Sequence, residues 1–306
     1  MDFVKNLKNL SVDERRNFLD SFDEVFCDCD GVIWYTTDVI KGAAHAVQKL
    51  RDAGKKVRFI SNNCIYTYEL FHERLEKCKF GSEKDSFVFP TMAMIDYLKS
   101  VNFNKEIFML ASLSMRSEIK RAGFKLAANG PDKITATVSG LKAELKDNSN
   151  VGAVIVDIDV NVNYINIMLA ALYLKRNDVL LLMGAEDKIL PFSEETRVIG
   201  PYYFQKMIAD ITNVEPLYFA KPGHLMSDFI NKKYQINNPK RVLFIGDQLE
   251  QDIKFAEANG FQKLLVLTGT TRKEKLEKND FADEQKPDYY LDSIASLVDI
   301  IDSVKK

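Results

Sequence analysis

The stretch FDEVFCDCDGVIW, residues 22–34, decides how this chain is read. Val25, Phe26 and Cys27 are apolar and favour a buried strand. The chain then turns polar at once, through Asp28, Cys29, Asp30 and Gly31. In an open α/β sheet, ligands bind beyond the carboxyl ends of the strands. Two carboxylates two residues apart are expected there, with Gly31 letting the backbone turn so that its N–H groups face an anion. Cys27 and Cys29 alternate along the strand and read as small buried residues, because free cysteine packs readily in cores and their spacing suits neither a zinc site nor a redox pair.

Working outward, Ser11 to Phe22 reads as a short helix with Ser11 and Glu14 forming a capping box. Lys41 to Ala53 has helical periodicity and ends at Gly54. Lys56 to Ile60 (KVRFI) is a second strand, so the unit is β-α-β and the sheet parallel. That strand runs into Ser61-Asn62-Asn63, with a helix from about Tyr66 to Cys78. Asp28 and Ser61 are therefore expected to be neighbours. The hydroxyl, the side-chain amides and the helix N-terminus are expected to form an anion site together.

From Glu106 a new α/β alternation starts: strands at Glu106–Leu110, Thr135–Val138, Val151–Val156 and Val179–Met183, with helices at Ser114–Ala122 and Tyr164–Lys175. The first pattern is expected to resume with a strand at Pro216–Phe219. It continues through Arg241–Ile245 (RVLFI) and Lys263–Leu267 to a strand at Pro287–Leu291 and a last helix to Val304. Residues 1–101 and 215–306 thus read as one parallel-sheet domain, and 102–214 as a second α/β domain inserted into it. Lys221 precedes a late helix, and Asp247 and Asp252 follow RVLFI. Polar residues of complementary kinds are expected to meet at one sheet edge.

Four segments in this order, DCDGVIW, SNNC, AKPG and GDQLEQD, resemble the motifs of the haloacid dehalogenase superfamily of phosphotransferases, in particular its 4-nitrophenylphosphatase-like branch of phosphoglycolate and pyridoxal phosphatases. The resemblance covers nearly the whole chain. It implies a Rossmann-like parallel-sheet core with a large inserted α/β cap, and Mg²⁺ bound by Asp28, Asp247 and the backbone carbonyl of Asp30, with Asp252 behind them. Hard oxygen ligands of this kind suit Mg²⁺. Asp28 is then the nucleophile and Asp30 the acid and base. Ser61, Asn62, Asn63 and Lys221 would bind the phosphoryl group.

In the cap loop GAEDKILPF, Leu190 stands before Pro191, where pyridoxal phosphatase relatives carry a histidine. That makes 2-phosphoglycolate the first candidate substrate and pyridoxal 5'-phosphate or another small phosphoester the alternative. The loop departs from the family at Gly184-Ala185, where a Thr-Asn pair is usual, and at Tyr202-Tyr203, which are expected to pack in the cap core. A catalytically idle binding relative is a further alternative, against which the complete set Asp28, Asp30, Lys221 and Asp247 speaks. A phosphoprotein phosphatase ranks lower, because a closed cap keeps proteins out.

Composition fits these expectations. The chain has 306 residues, is 46% hydrophobic and 28% charged, and has a net charge of −2. Nothing in that balance points to nucleic acid or an anionic membrane, and no apolar run is long enough to span a bilayer. The polar first twenty residues lack a signal-peptide core, and the four cysteines lie in the first third of the chain, so a cytoplasmic protein with free thiols is expected. The family resemblance implies a small phosphorylated metabolite as substrate and a homodimer formed through the cap.

Overall fold

Seven parallel strands carry most of the residues singled out above. In the computed structural model, which describes residues 4–36, 38–81, 86–191 and 196–305, the strands in chain order begin with β1 (Lys5–Asn6), β2 (Glu24–Cys27), β3 (Lys56–Ile60) and β4 (Phe87–Val88). A second group follows: β5 (Glu106–Leu110), β6 (Lys125–Leu126), β7 (Val151–Val156), β8 (Leu180–Met183), β9 (Ile189–Pro191), β10 (Arg197–Ile199) and β11 (Leu217–Tyr218). The last three are β12 (Val242–Gly246), β13 (Gln262–Val266) and β14 (Tyr289–Leu291).

The first sheet has the order β1-β14-β13-β12-β2-β3-β4 and is parallel throughout. From β2 the chain steps outward to β3 and β4 on one side, while β12, β13 and β14 lie on the other. The switch point, where adjacent loops diverge and leave a crevice, therefore falls between β2 and β12. Register puts Cys27 beside Ile245 and Phe59, so the next residues, Asp28 and Gly246-Asp247, emerge side by side. Val25, Phe26 and Cys27 are fully buried, as are Leu243, Phe244 and Ile245 on β12. Burying one Val or Phe side chain contributes about 1.5–3 kcal/mol, which fixes these two strands firmly under the polar loops they carry.

The second sheet, β11-β8-β7-β5-β6, is also parallel, and β9 and β10 form a separate antiparallel pair. Its strands begin inside the segment 102–214, but β11 lies beyond it and pairs with β8, not with the first sheet as the sequence pattern implied. Helix Pro90–Ser100, before the segment, likewise packs Ala93, Met94 and Leu98 against Ile107, Met109, Ile155 and Leu182 of the second sheet. Helix His224–Tyr234 touches both: Leu225 and Phe229 reach that cluster, Met226 and Ile230 the core of the first sheet. The seam between the sheets is made of helices from the flanks.

Three local expectations change. Thr135–Val138 is no strand; Thr137 caps a helix, Val138–Glu144, through Gly140 N–H. The run is rich in β-branched residues but exposed, and among the described residues no strand pairs with it. The helix expected at Tyr66–Cys78 spans Tyr68–Lys77. Tyr202 and Tyr203 do not pack in a core: Tyr202 is half-buried and Tyr203 is 53% exposed at the start of helix Tyr202–Thr212. The capping box of Ser11 and Glu14 forms as read, and all four cysteines are free, three of them buried.

Candidate active site

Lys221 is the hinge of the site. Its side chain is 1% exposed, and Nζ donates to Asp28 Oδ1 at 2.5 Å, Asp252 Oδ1 at 2.7 Å and the Ile60 carbonyl at 2.9 Å. Three donor positions meet three acceptors, which is all an ammonium offers. Burial alone would lower its pKa, but the Asp252 and Asp28 carboxylates outweigh burial and hold it above the ordinary value. Lys221 therefore stays charged and ties the ends of β2, β3 and the β12 loop together.

Asn62 fixes the lysine's backbone. Its amide donates to the Lys221 carbonyl at 3.1 Å and accepts from Lys221 N–H at 2.9 Å, and it also donates to Gln251 Oε1 at 2.8 Å. Ser61, 1% exposed, accepts from Asn63 N–H at 3.1 Å. Asn63 in turn donates to Asp30 Oδ2 at 3.3 Å, while Trp34 Nε1 donates to Asp30 Oδ1 at 3.2 Å. Asp30 is half-buried, and burial pushes its carboxyl above the usual range against the Asn63 hydrogen bond. That is the direction that suits a group asked to give up a proton near neutral pH. The turn between them needs Gly31: φ is +91°, and a Cβ would lie 2.7 Å from Asp247 Cγ.

The expected helix N-terminus does not join the anion site. Leu70 N–H is taken by the Thr67 hydroxyl and Tyr68 N–H by Glu118. Sequence spacing could not reveal this, because Glu118 comes from a helix fifty positions away.

Oxygens of Asp28, Asp247 and Asp252 lie within 4.8 Å of one another, all from buried residues. Their commitments differ. Asp252 Oδ1 holds Lys221, and Oδ2 accepts from the N–H groups of Asp247 and Gln248, both at 3.0 Å. Asp247 Oδ2 accepts from Thr270 N–H at 2.5 Å, but its Oδ1 is buried with no partner. Burial first, and the Asp252 carboxylate second, push Asp247 up to about 8. A buried carboxylate oxygen without a donor is costly, and hard, closely spaced oxygens are what Mg²⁺ binds. The residues therefore fit a divalent cation held by Asp28 and Asp247, with Asp252 orienting both through Lys221 and the backbone.

A cavity of about 80 Å³ opens above these groups. Its floor is Asp28, Asp30, Asn62, Asn63 and Asp252, and its far wall comes from the second sheet and its loops, including Leu190. Gln251 bridges the two: it accepts from Asn62 and donates to Asp187 Oδ1 at 3.0 Å. Tyr202 lies outside this cavity, in a neighbouring groove, with Lys188 Nζ 5.0 Å above its ring.

Sequence reasoning brought together Asp28, Asp30, Ser61, Asn62, Asn63, Lys221, Asp247, Asp252 and Leu190, and the cavity or its supports include all of them. It passed over Asp157, Asp187 and Gln251. Asp157 follows the wholly buried strand β7 just as Asp28 follows β2, so the same reading of strand ends would have found it.

Comparison with known proteins bears on the family and the fold. A haloacid dehalogenase-like hydrolase family model matches residues 25–125, and a HAD-hydrolase-like model matches residues 218–297. Phosphoglycolate phosphatase 2 of Arabidopsis thaliana is 29% identical over 304 residues, covering 96% of this chain and 98% of that protein. The crystal structure of 4-nitrophenylphosphatase from Thermotoga maritima superimposes with a TM-score of 0.75 at 21% identity, covering 92% of this chain and 98% of the other. Glycerol phosphate phosphatase from Mycobacterium tuberculosis, solved in complex with magnesium, gives a TM-score of 0.73 at 18% identity over 91% of this chain and 77% of that one.

Proposed function

The chain belongs to the haloacid dehalogenase-like hydrolases and is a phosphoric monoester hydrolase, and from that premise we propose that it hydrolyses small phosphomonoesters through an aspartyl-phosphate on Asp28, with Mg²⁺ as cofactor. The observation that carries this reading is the buried Asp28 carboxylate held by Lys221 at the switch point. In the first half-reaction Asp28 attacks phosphorus, the bond from phosphorus to the ester oxygen breaks, and Asp30 gives its proton to that oxygen. In the second, Asp30 takes a proton from water as the water oxygen attacks the same phosphorus, and the bond to Asp28 breaks. Ser61 and Asn63 bind phosphoryl oxygens, Lys221 holds Asp28 in place and sets its positive charge beside them, and Asn62 keeps the lysine in position. Asp28, Asp247 and the Asp30 carbonyl would hold Mg²⁺, which when bound would supply positive charge for the phosphoryl oxygens.

Phosphate release from 4-nitrophenyl phosphate tests this. We expect turnover with Mg²⁺ and its loss, by about a hundredfold or more, on chelation. Turnover that survives chelation would remove Mg²⁺ from the reading. Metal-free protein with no phosphatase activity after Mg²⁺ is restored would instead favour the idle binding relative.

We place the segment 102–214, extended to β11, as a cap that closes over the leaving group and excludes water. Ile189 and Ile199 of the β9–β10 pair and Tyr203 and Ile211 of the adjacent helix are 53–67% exposed, an apolar surface that supports a homodimer formed through the cap. Sedimentation equilibrium should give twice the chain mass, and Ile199→Glu with Ile211→Glu should give the monomer; a monomeric parent protein would sink the dimer. Among the described residues no helix is long and apolar enough to cross a membrane, and the free cysteines support a cytoplasmic setting.

For substrate, Leu190 in the cavity wall and the phosphoglycolate phosphatase relative favour 2-phosphoglycolate, the first candidate on sequence. The glycerol phosphate phosphatase structure supplies a second. The two differ in the charge of the leaving group, so the charge of the cavity bears directly on the choice.

A further inference from the structure

Two buried carboxylates face the catalytic groups across the cavity. Asp157 is 2% and Asp187 8% exposed, and both line it. Asp157 Oδ1 accepts from Ile158 N–H at 2.6 Å and Oδ2 from Ala185 N–H at 3.0 Å. Asp187 Oδ1 accepts from Gln251, Gln248 is a second donor to Asp187, and the Cys64 thiol is a third donor to Asp157. A carboxylate has about four acceptor directions, so each of these acids keeps capacity for another donor.

The place of Asp157 depends on Gly184. A Cβ there would stand 1.6 Å from Asp157 Oδ2, so any other residue at 184 would displace the carboxylate. The pair Asp157 and Gly184 is a built feature of this wall. Among the described residues no Lys or Arg lines the cavity beside it. Lys221 is spent on Asp28, Asp252 and Ile60. Arg74, on the Asp30 side, is turned to the carbonyls of Tyr35 and Thr36. The rest of the wall is uncharged: mostly apolar or amide, as at Ile65, Ile158, Leu190, Pro201 and Gln248, with the Thr36 hydroxyl and the Cys64 thiol.

We propose that Asp157, with Asp187, makes this site select phosphomonoesters whose leaving group donates hydrogen bonds through hydroxyl or ammonium and carries no negative charge, and that it disfavours substrates with a carboxylate beside the phosphate. The proposal rests on the phosphatase reading and deepens it, turning the preference away from 2-phosphoglycolate. Burial pushes both carboxyls up to about 6, so slightly above neutral pH both are charged. A leaving-group carboxylate would then sit against two buried like charges, where repulsion is strong. A hydroxyl or ammonium in the same space finds acceptors already held in place, with no side chain to order.

The test compares kcat/KM for glycerol 3-phosphate, phosphoethanolamine and 2-phosphoglycolate at about pH 7.5 with Mg²⁺, beside 4-nitrophenyl phosphate. The parent protein should favour the first two over 2-phosphoglycolate by about tenfold or more. Asp157→Asn and Asp187→Asn should each raise 2-phosphoglycolate relative to phosphoethanolamine by about fivefold or more, chiefly through KM. Equal or better use of 2-phosphoglycolate by the parent protein overturns the proposal, and so does a variant that scales all three substrates by one factor. The ranking in the parent protein decides the matter even where a variant fails to fold. Turnover of 4-nitrophenyl phosphate separates a wrong selectivity from a wrong activity: its absence would overturn the phosphatase reading, and this proposal with it.

Discussion

Asp28→Asn is expected to lower turnover of every phosphomonoester by about 10⁴-fold or more, the scale on which removing a covalent nucleophile acts, while the protein stays folded. The two halves of this expectation have one cause. Asp28 is 6% exposed and shares a small volume with Asp247 and Asp252. Burial pushes its carboxyl well above the usual range, and Lys221 pulls it back. Three crowded carboxylates with one ammonium are an arrangement that folding does not favour; replacing one by a neutral amide of the same shape relieves it. Stability in urea without metal should be unchanged or higher by about 1 kcal/mol, even as activity disappears. Acid-quenched protein should carry labelled phosphate from a ³²P-substrate in the parent chain and none in the variant. Turnover above a few per cent of the parent value in Asp28→Asn, or undiminished labelling, would remove Asp28 from the nucleophile's role.

The parts of this site legible in the sequence are those that a strand positions. Once VFC and RVLFI read as strands of one parallel sheet, Asp28 and Asp247 were expected at the same edge; that they emerge side by side follows from the pairing of the two strands, which only the structure shows. Lys221 was legible as a lone cation near the same edge. Its three partners were not, since Nζ is aimed by Asn62, whose bonds to Lys221 span 159 positions. The helix N-terminus at Tyr68 shows the limit from the other side: nearness in sequence placed it at the anion site, and Thr67 and the distant Glu118 consumed its N–H groups.

The second sheet was legible where its strands are long and almost wholly apolar, as in Glu106–Leu110 and Val151–Val156, which form with the bounds expected. It was not where a strand has two or three residues. Leu217–Tyr218 has too few side chains for periodicity to assign it to a sheet, and only its pairing with β8 does so. The β9–β10 pair falls under the same limit. Tyr202 and Tyr203 were expected inside on the strength of aromatic size. They lie at the first turn of a helix whose buried positions are Gln205 and Ile208, so the helical phase, not size, set their exposure. What distinguishes this chain's cap is therefore a set of contacts across long sequence separations, Asp157 against Gly184 and Asp187 against Gln251.

Lys221→Met should produce the largest loss of stability of any single substitution in the site, about 3–5 kcal/mol near neutral pH, together with loss of activity. Methionine fills much of the lysine's volume, so packing changes little; what disappears is the charge. Asp28 and Asp252 are then buried without their cation, and breaking a buried pair by removing one partner costs that much because the other charge is left uncompensated. The sign of the pH dependence follows. In the parent protein the Lys221 pKa is raised, so its contribution is fully present below the ordinary lysine value and is lost only as strongly alkaline pH passes through the folded value. In the variant the pull of Lys221 on Asp28 is gone, leaving burial to raise a carboxyl whose unfolded value is near 3.8. A group with a raised folded value stabilises below its unfolded pKa and loses that contribution as pH rises through the folded one. The deficit in Lys221→Met should therefore be large at about pH 8, shrink as pH falls towards about 5, and be partly restored at pH 8 by Mg²⁺, which the remaining carboxylates can still bind. Urea denaturation of both proteins at the two pH values, with and without the metal, measures all three. A deficit that does not change with pH would mean that Lys221 contributes through packing alone, and the electrostatic account of the site would fall with it.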